Sequence, residues 1–166
     1  MNVVMLMVIQ LIKDETAQKG CSRMIKSDMI APCGLDCAIC RRAQQEENPC
    51  LGCRGPDEAK PDFCLNHCKI HKCEKLQELG SDFCDVCPSY PCEDVLEKEA
   101  LYASAYPLFE SPMGNLAYIR KHGMDAFLLK ERSEWTCGEC GGVICVHSGI
   151  CSGCSKEYGD RSKCSG

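Results

Sequence analysis

Positive charge is in deficit along this chain of 166 residues, where 19 lysines and arginines face 24 aspartates and glutamates for a net charge of −5. Proteins that grip nucleic acid through its phosphates carry a basic excess, so this balance argues against nucleic acid as a partner. Long apolar runs are missing too. The run from Val3 to Ile12 is about half of the ~20 residues needed to span a bilayer, with no basic segment before it and no small-residue cleavage site after it. The sequence therefore predicts no membrane association and no export, and points to the cytosol. Aromatic residues are few, one Trp, four Phe and five Tyr, which limits a conventional core.

Catalytic signatures are also lacking. There is no HExxH helix and no phosphate-cradling GxxxxGK[ST] loop. A catalytic zinc keeps an open position and commonly uses histidine or carboxylate, whereas this chain offers mostly sulfur. These absences argue against an enzyme and identify no small-molecule substrate.

What the chain has is cysteine, 18 residues in all. In a reducing compartment such a density reads as metal ligation rather than as a disulfide framework. Eleven fall between Cys33 and Cys92, as Cys33, Cys37, Cys40; Cys50, Cys53; Cys64, Cys68, Cys73; and Cys84, Cys87, Cys92. Glycines and prolines between the groups break this stretch into turns, with short helices expected around residues 37–45 and 66–79. Structural zinc then supplies folding free energy that burial cannot, an apparent ~10–16 kcal/mol per site.

Spacing suggests the ligand sets. Cys137, Cys140, Cys151 and Cys154 form two CxxC pairs flanking a short hairpin, the pattern of a zinc ribbon in which four sulfurs surround one tetrahedral ion. Val143–Val146 is the expected strand, with Cys145 read as a packed thiol and His147 as a surface residue. Cys37, Cys40, Cys50 and Cys53 repeat the double CxxC and favour a second site. Cys33, Cys64, Cys68, Cys73, Cys84, Cys87 and Cys92 remain; with His67 or His71 they suffice for two further ions, and their pairing stays open. His122 reads as surface and Cys21 as a free thiol.

The rival cofactor is an iron–sulfur cluster, which also takes four thiolates. The ferredoxin run C-x2-C-x2-C-x3-C-P is absent, with Cys87-Pro88 only its last fragment. Cys33, Cys37 and Cys40 reproduce the CxxxCxxC spacing of radical S-adenosylmethionine enzymes, but the chain has neither their length nor their repeated strand–helix pattern. Copper(I), the other soft-metal option, is disfavoured because the cysteines lie among prolines and glycines rather than on long helices.

Residues 93–136 contain no cysteine. Their periodicity predicts a helix over EDVLEKEALYASAY ending by Pro107, a second over NLAYIRKHG with Asn115 as cap and Gly123 as stop, and a third over MDAFLLKERSEW. Leu116, Ile119, Phe127, Leu128 and Trp135 are expected to supply the only ordinary hydrophobic packing. The fold class that follows is a small metal-stabilised protein, mainly α with irregular loops. It divides into an N-terminal extension (1–29), a cysteine-rich domain (30–92), a helical connector (93–136), a zinc-ribbon-like hairpin (137–158) and a tail (159–166).

The segments IAPCGLDCAIC, CLGCRG, HCKIHKC, FCDVCPSYPC and WTCGECGGVICVHSGICSGC, in that order, resemble a family of uncharacterised cysteine-rich proteins of bacteria and archaea catalogued as a domain of unknown function. The resemblance runs from about Met29 to Tyr158. It implies zinc binding by a compact cysteine-rich domain, often followed by a terminal ribbon. The chain departs from the family pattern at His71, where that pattern has arginine, and at Cys64 and Cys68, which stand one residue farther apart. The expected function is structural zinc binding at several sites to present a surface to a protein partner, with an iron–sulfur or thiol redox protein as the alternative and a zinc enzyme with one open site behind both.

Overall fold

The computed structural model describes residues 25–159. The expectations for Val3–Ile12, for Cys21 and for the end of the tail lie outside the described residues. The fold is mainly helical, and its β-structure among those residues is confined to isolated bridges.

Among the described residues four α-helices follow one another: α1 (Glu74–Glu78), α2 (Glu93–Ser104), α3 (Pro112–His122) and α4 (Met124–Trp135). Local chemistry sets their ends. Glu93 and Asp94 open α2 where the helix dipole favours negative charge. Ser111 caps α3, its Oγ accepting from the N–H of Gly114 at 2.9 Å, and Pro112 occupies the first turn where its missing N–H costs nothing. Asn115, expected as the cap, is instead buried inside the helix. Gly123 ends α3 at φ +86°, donating to the carbonyl of Ile119, and α4 starts at once. The α2–α3 corner is fixed by Glu99, whose carboxylate accepts from Ser111 Oγ at 2.7 Å and from the N–H of Met113 at 3.0 Å.

Between residues 27 and 92 the chain is built from single turns. The helix expected over residues 37–45 is only a 3-10 turn, Cys37–Ile39, capped by Asp36. That over 66–79 is divided into a π turn (Phe63–His67), a 3-10 turn (Ile70–Lys72) and α1. The strand expected at Val143–Val146 reduces to bridges pairing Thr136 with Val143 and Ile144 with Cys151.

The apolar interior reaches well beyond the helical connector. One cluster joins Ile25, Ile30 and Ile39 to Leu108, Phe127 and Trp135 and then to Val143, Ile144 and Val146. A second packs Leu35, Ile70 and Leu76 against Val95 and Leu116. Of the five residues expected inside, Leu116, Phe127, Leu128 and Trp135 are buried, while Ile119 packs partly buried at the edge. The cysteine-rich turns thus share the core they were expected to lack. Backbone bonds tie the pieces together, the N–H of Val146 to the carbonyl of Ile39 at 2.9 Å and the guanidinium of Arg132 to the carbonyl of Ile25.

A buried polar pin holds the opening cysteine loop on α3. Gly34 turns that loop at φ +98°, and a Cβ there would lie 2.3 Å from the carbonyl oxygen of Pro112. Asn115 Nδ2 donates to the Gly34 carbonyl and to Glu110 Oε1, both at 2.9 Å, and Glu110 Oε1 also accepts from the N–H of Asp36 at 2.8 Å.

Candidate metal centre

The thiols of Cys137, Cys140, Cys151 and Cys154 converge at the end of the chain, all four within 4.8 Å of one another. Sulfurs bound at ~2.3 Å to one tetrahedral ion stand ~3.8 Å apart. The observed separations of 3.7 Å between Cys137 and Cys154 and 3.4 Å between Cys140 and Cys151 match that arrangement. These four residues could hold a metal ion.

The hairpin is shaped for this. The N–H of Gly142 donates to Cys140 Sγ and that of Gly153 to Cys151 Sγ, each at 3.3 Å. A Cβ at Gly153 would sit 2.9 Å from Cys140 Sγ, and one at Gly142 equally close to Cys151 Sγ, so both positions need glycine to let backbone approach sulfur. Tyr158 closes the site by donating its hydroxyl to Cys137 Sγ at 2.9 Å. The sequence marked Tyr158 only as the end of the hairpin; nothing in a CxxC pattern specifies a hydroxyl donor 21 residues along the chain from the thiol it reaches.

Electrostatics calls for a cation there. Burial opposes charge on Cys137, but the hydrogen bonds from Tyr158, from the backbone and from Cys154 outweigh it and bring that thiol down to about 6. Cys140 is helped by the Gly142 N–H, yet desolvation and the three neighbouring thiols drive it up to about 12. A thiolate is therefore favoured at Cys137 and resisted at Cys140 and Cys154, and a bound cation would offset that resistance.

The other cysteines are arranged differently. Cys33, Cys37, Cys40, Cys50, Cys53, Cys64 and Cys68 all line one cavity of about 370 Å³. Cys37 and Cys53 form its closest described pair, with Cys37 donating to Cys53 at 4.0 Å. That bond, reinforced by the charges of Lys60, Lys98 and Arg54, lowers Cys53 to about 7 against its burial. Burial pushes Cys33 strongly upward and Cys64 up to about 12. Cys37, Cys40, Cys50 and Cys53, expected to surround one ion, thus share a wall without converging: among the described residues only the C-terminal set brings three or more donors within 4.8 Å of one another.

Cys84 is pushed up to about 12, first by its burial and then by its neighbours Cys92, Cys73, Cys87 and Asp85. Cys73 and Cys92 immediately precede α1 and α2. Sixteen cysteines are free thiols, with no disulfide among the described residues.

The histidines separate clearly. His67 is exposed, stacked on Phe63 and beside Asp62, and His122 is exposed against Tyr118. His147 is not the surface residue expected. Its Nε2 lies 3.1 Å from Tyr102 Oη and its ring 4.4 Å from that of Tyr106, and burial lowers its pKa to about 4. Cys145 is buried beside it in sequence, as expected. His71 also lines the cavity: its Nδ1 is 2.9 Å from the Cys68 carbonyl, which fixes that nitrogen as the N–H donor, while its Nε2 is buried without a partner.

Residues 29–97 match a family described as Protein of unknown function (DUF3795). Neither the curated proteins nor the solved structures contain a match to the chain. No described helix is long and apolar enough to cross a membrane.

Proposed function

We propose that this is a structural zinc protein whose C-terminal hairpin is a closed zinc ribbon and whose remaining surface serves a protein partner in the cytosol. The observation that carries the reading is the convergence of the thiols of Cys137, Cys140, Cys151 and Cys154 within 4.8 Å of one another, supported from outside by two glycine N–H groups and the Tyr158 hydroxyl. Four sulfurs fill the coordination of zinc and leave no position for substrate, so the ion's contribution is to folding. Thiolate ligands suit zinc among the common soft and borderline ions. The net charge of −5 favours a partner other than nucleic acid.

Elemental analysis of protein purified in the presence of zinc tests the assignment. The wild type should carry one zinc that a Cys140→Ser, Cys154→Ser double variant lacks. Equal zinc in both would remove the hairpin as the binding site.

A further inference from the structure

The sulfur-lined cavity has a geometry that zinc does not explain. Each zinc ion, alone or in a thiolate-bridged pair, gathers four donors around itself, and two sulfurs bound to one ion at ~2.3 Å can be no more than ~4.6 Å apart. Such an ion would require at least three mutually close donors, and among the described residues those occur only in the hairpin. The cavity thiols instead stand around a void of about 370 Å³. A [4Fe–4S] cluster fits that layout, because inorganic sulfide supplies all but one of the ligands of each iron and the protein adds a single thiolate per iron from the periphery.

Two further observations fit. Lys60 and Lys98 line the cavity, where their positive charge would offset the negative charge of a thiolate-bound cluster. His71 offers Nε2, buried and unpartnered, with the ring oriented by the bond from Nδ1 to the Cys68 carbonyl, the way metal-bound imidazoles are usually held. We propose that this cavity seats an iron–sulfur cluster bound by thiolates of its wall, drawn from Cys33, Cys37, Cys53, Cys64 and Cys68, with His71 as a further donor to iron. Each ligating thiol gives up its proton as its Fe–S bond forms. The inference rests on the reading of the cysteines as metal ligands but adds a second metal to the hairpin zinc.

The test is anaerobic purification followed by reconstitution with ferric iron, sulfide and excess dithiol as the reductant that brings half of the iron to the ferrous state, reading iron, acid-labile sulfide, zinc and the visible spectrum of the full chain. The expected wild type is brown, with about four iron and as many sulfide per chain beside one zinc. A Cys64→Ser, Cys68→Ser double variant should lose iron and colour while keeping zinc, and the Cys140→Ser, Cys154→Ser variant should do the reverse. His71→Ala should change the visible and paramagnetic spectra; unchanged spectra would remove His71 as a donor. Colourless wild type, iron without sulfide, or zinc filling the cavity would overturn the cluster. If the cavity variant does not fold, the wild-type ratio of iron to sulfide to zinc decides. Zinc in the hairpin with no iron refutes only the cluster, whereas absence of both metals refutes the metal-binding reading as well.

Discussion

Replacing Glu110 by glutamine should raise the stability of this protein at neutral pH, and by an amount that grows with pH. Glu110 is 4% exposed, its Oε1 holds the N–H of Asp36 and the amide of Asn115, and its Oε2 is buried without a partner. Burial first, and then the carboxyls of Glu131 and Asp36, raise its pKa well above the ordinary carboxylate value. In the folded chain it therefore keeps its proton at pH values where the unfolded chain, with a pKa of ~4.3, has lost it. Stability from this group is complete below the unfolded value and is lost as pH rises toward the raised one, at up to ~1.4 kcal/mol per pH unit. Glutamine preserves the Oε1 acceptor and never ionises. The advantage of Glu110→Gln over wild type should then grow as pH rises above the unfolded value, at up to ~1.4 kcal/mol per pH unit, until the raised value is passed. Glu110→Ala removes the acceptor from two buried donors and should cost about 3 kcal/mol, since each orphaned group is worth ~1–3. Urea unfolding followed by far-ultraviolet circular dichroism at fixed, saturating metal is the assay. Thiol protonation weakens metal binding at low pH, but it does so equally in wild type and variant and cancels in the difference. A difference independent of pH, or one that shrinks as pH rises, would refute the raised pKa of Glu110.

Three other outcomes are expected. Chelation of zinc, or Cys137→Ser, should make residues 137–158 protease-sensitive while helical circular dichroism is largely kept, because a structural zinc worth an apparent ~10–16 kcal/mol then no longer closes the hairpin; digestion mapped by mass spectrometry reads this. Gly34→Ala should cost ~3 kcal/mol or more through its left-handed backbone and the 2.3 Å approach to the Pro112 carbonyl, whereas Gly138→Ala, with open space around it, should stay within ~0.5 kcal/mol in the same urea assay. Phe127→Ala, at a fully buried position in the larger cluster, should cost ~3–5 kcal/mol and lower the thermal midpoint accordingly.

The helices were legible because their signals are local. Glu93–Ser104 and Met124–Trp135 follow apolar spacing and chain punctuation closely. The start of α3 misled because Ser111-Pro112 is a complete cap in itself, which frees Asn115 to be a buried pin to the Gly34 loop. The larger core was illegible for a different reason: Ile25, Ile39, Leu108 and Val146 come from separate turns too short to show a period. The convergence of the hairpin thiols was legible because CxxC fixes sulfur positions within one turn. Which of Cys33, Cys53, Cys64 and Cys68 share a wall depends instead on how successive turns stack, and spacing carries no record of that. Burial of His147 between Tyr102 and Tyr106 is a contact across more than forty residues, equally invisible to local pattern.

The chain's single tryptophan, Trp135, closes α4 two residues before Cys137, and its carbonyl accepts from the N–H of Ile144 inside the hairpin. With its indole 2% exposed in the same apolar cluster as Cys137 and Cys151, it is an intrinsic optical probe of the terminal site. Fluorescence from an unlabelled sample can follow ion uptake and release there in real time, with no competing indole elsewhere in the molecule.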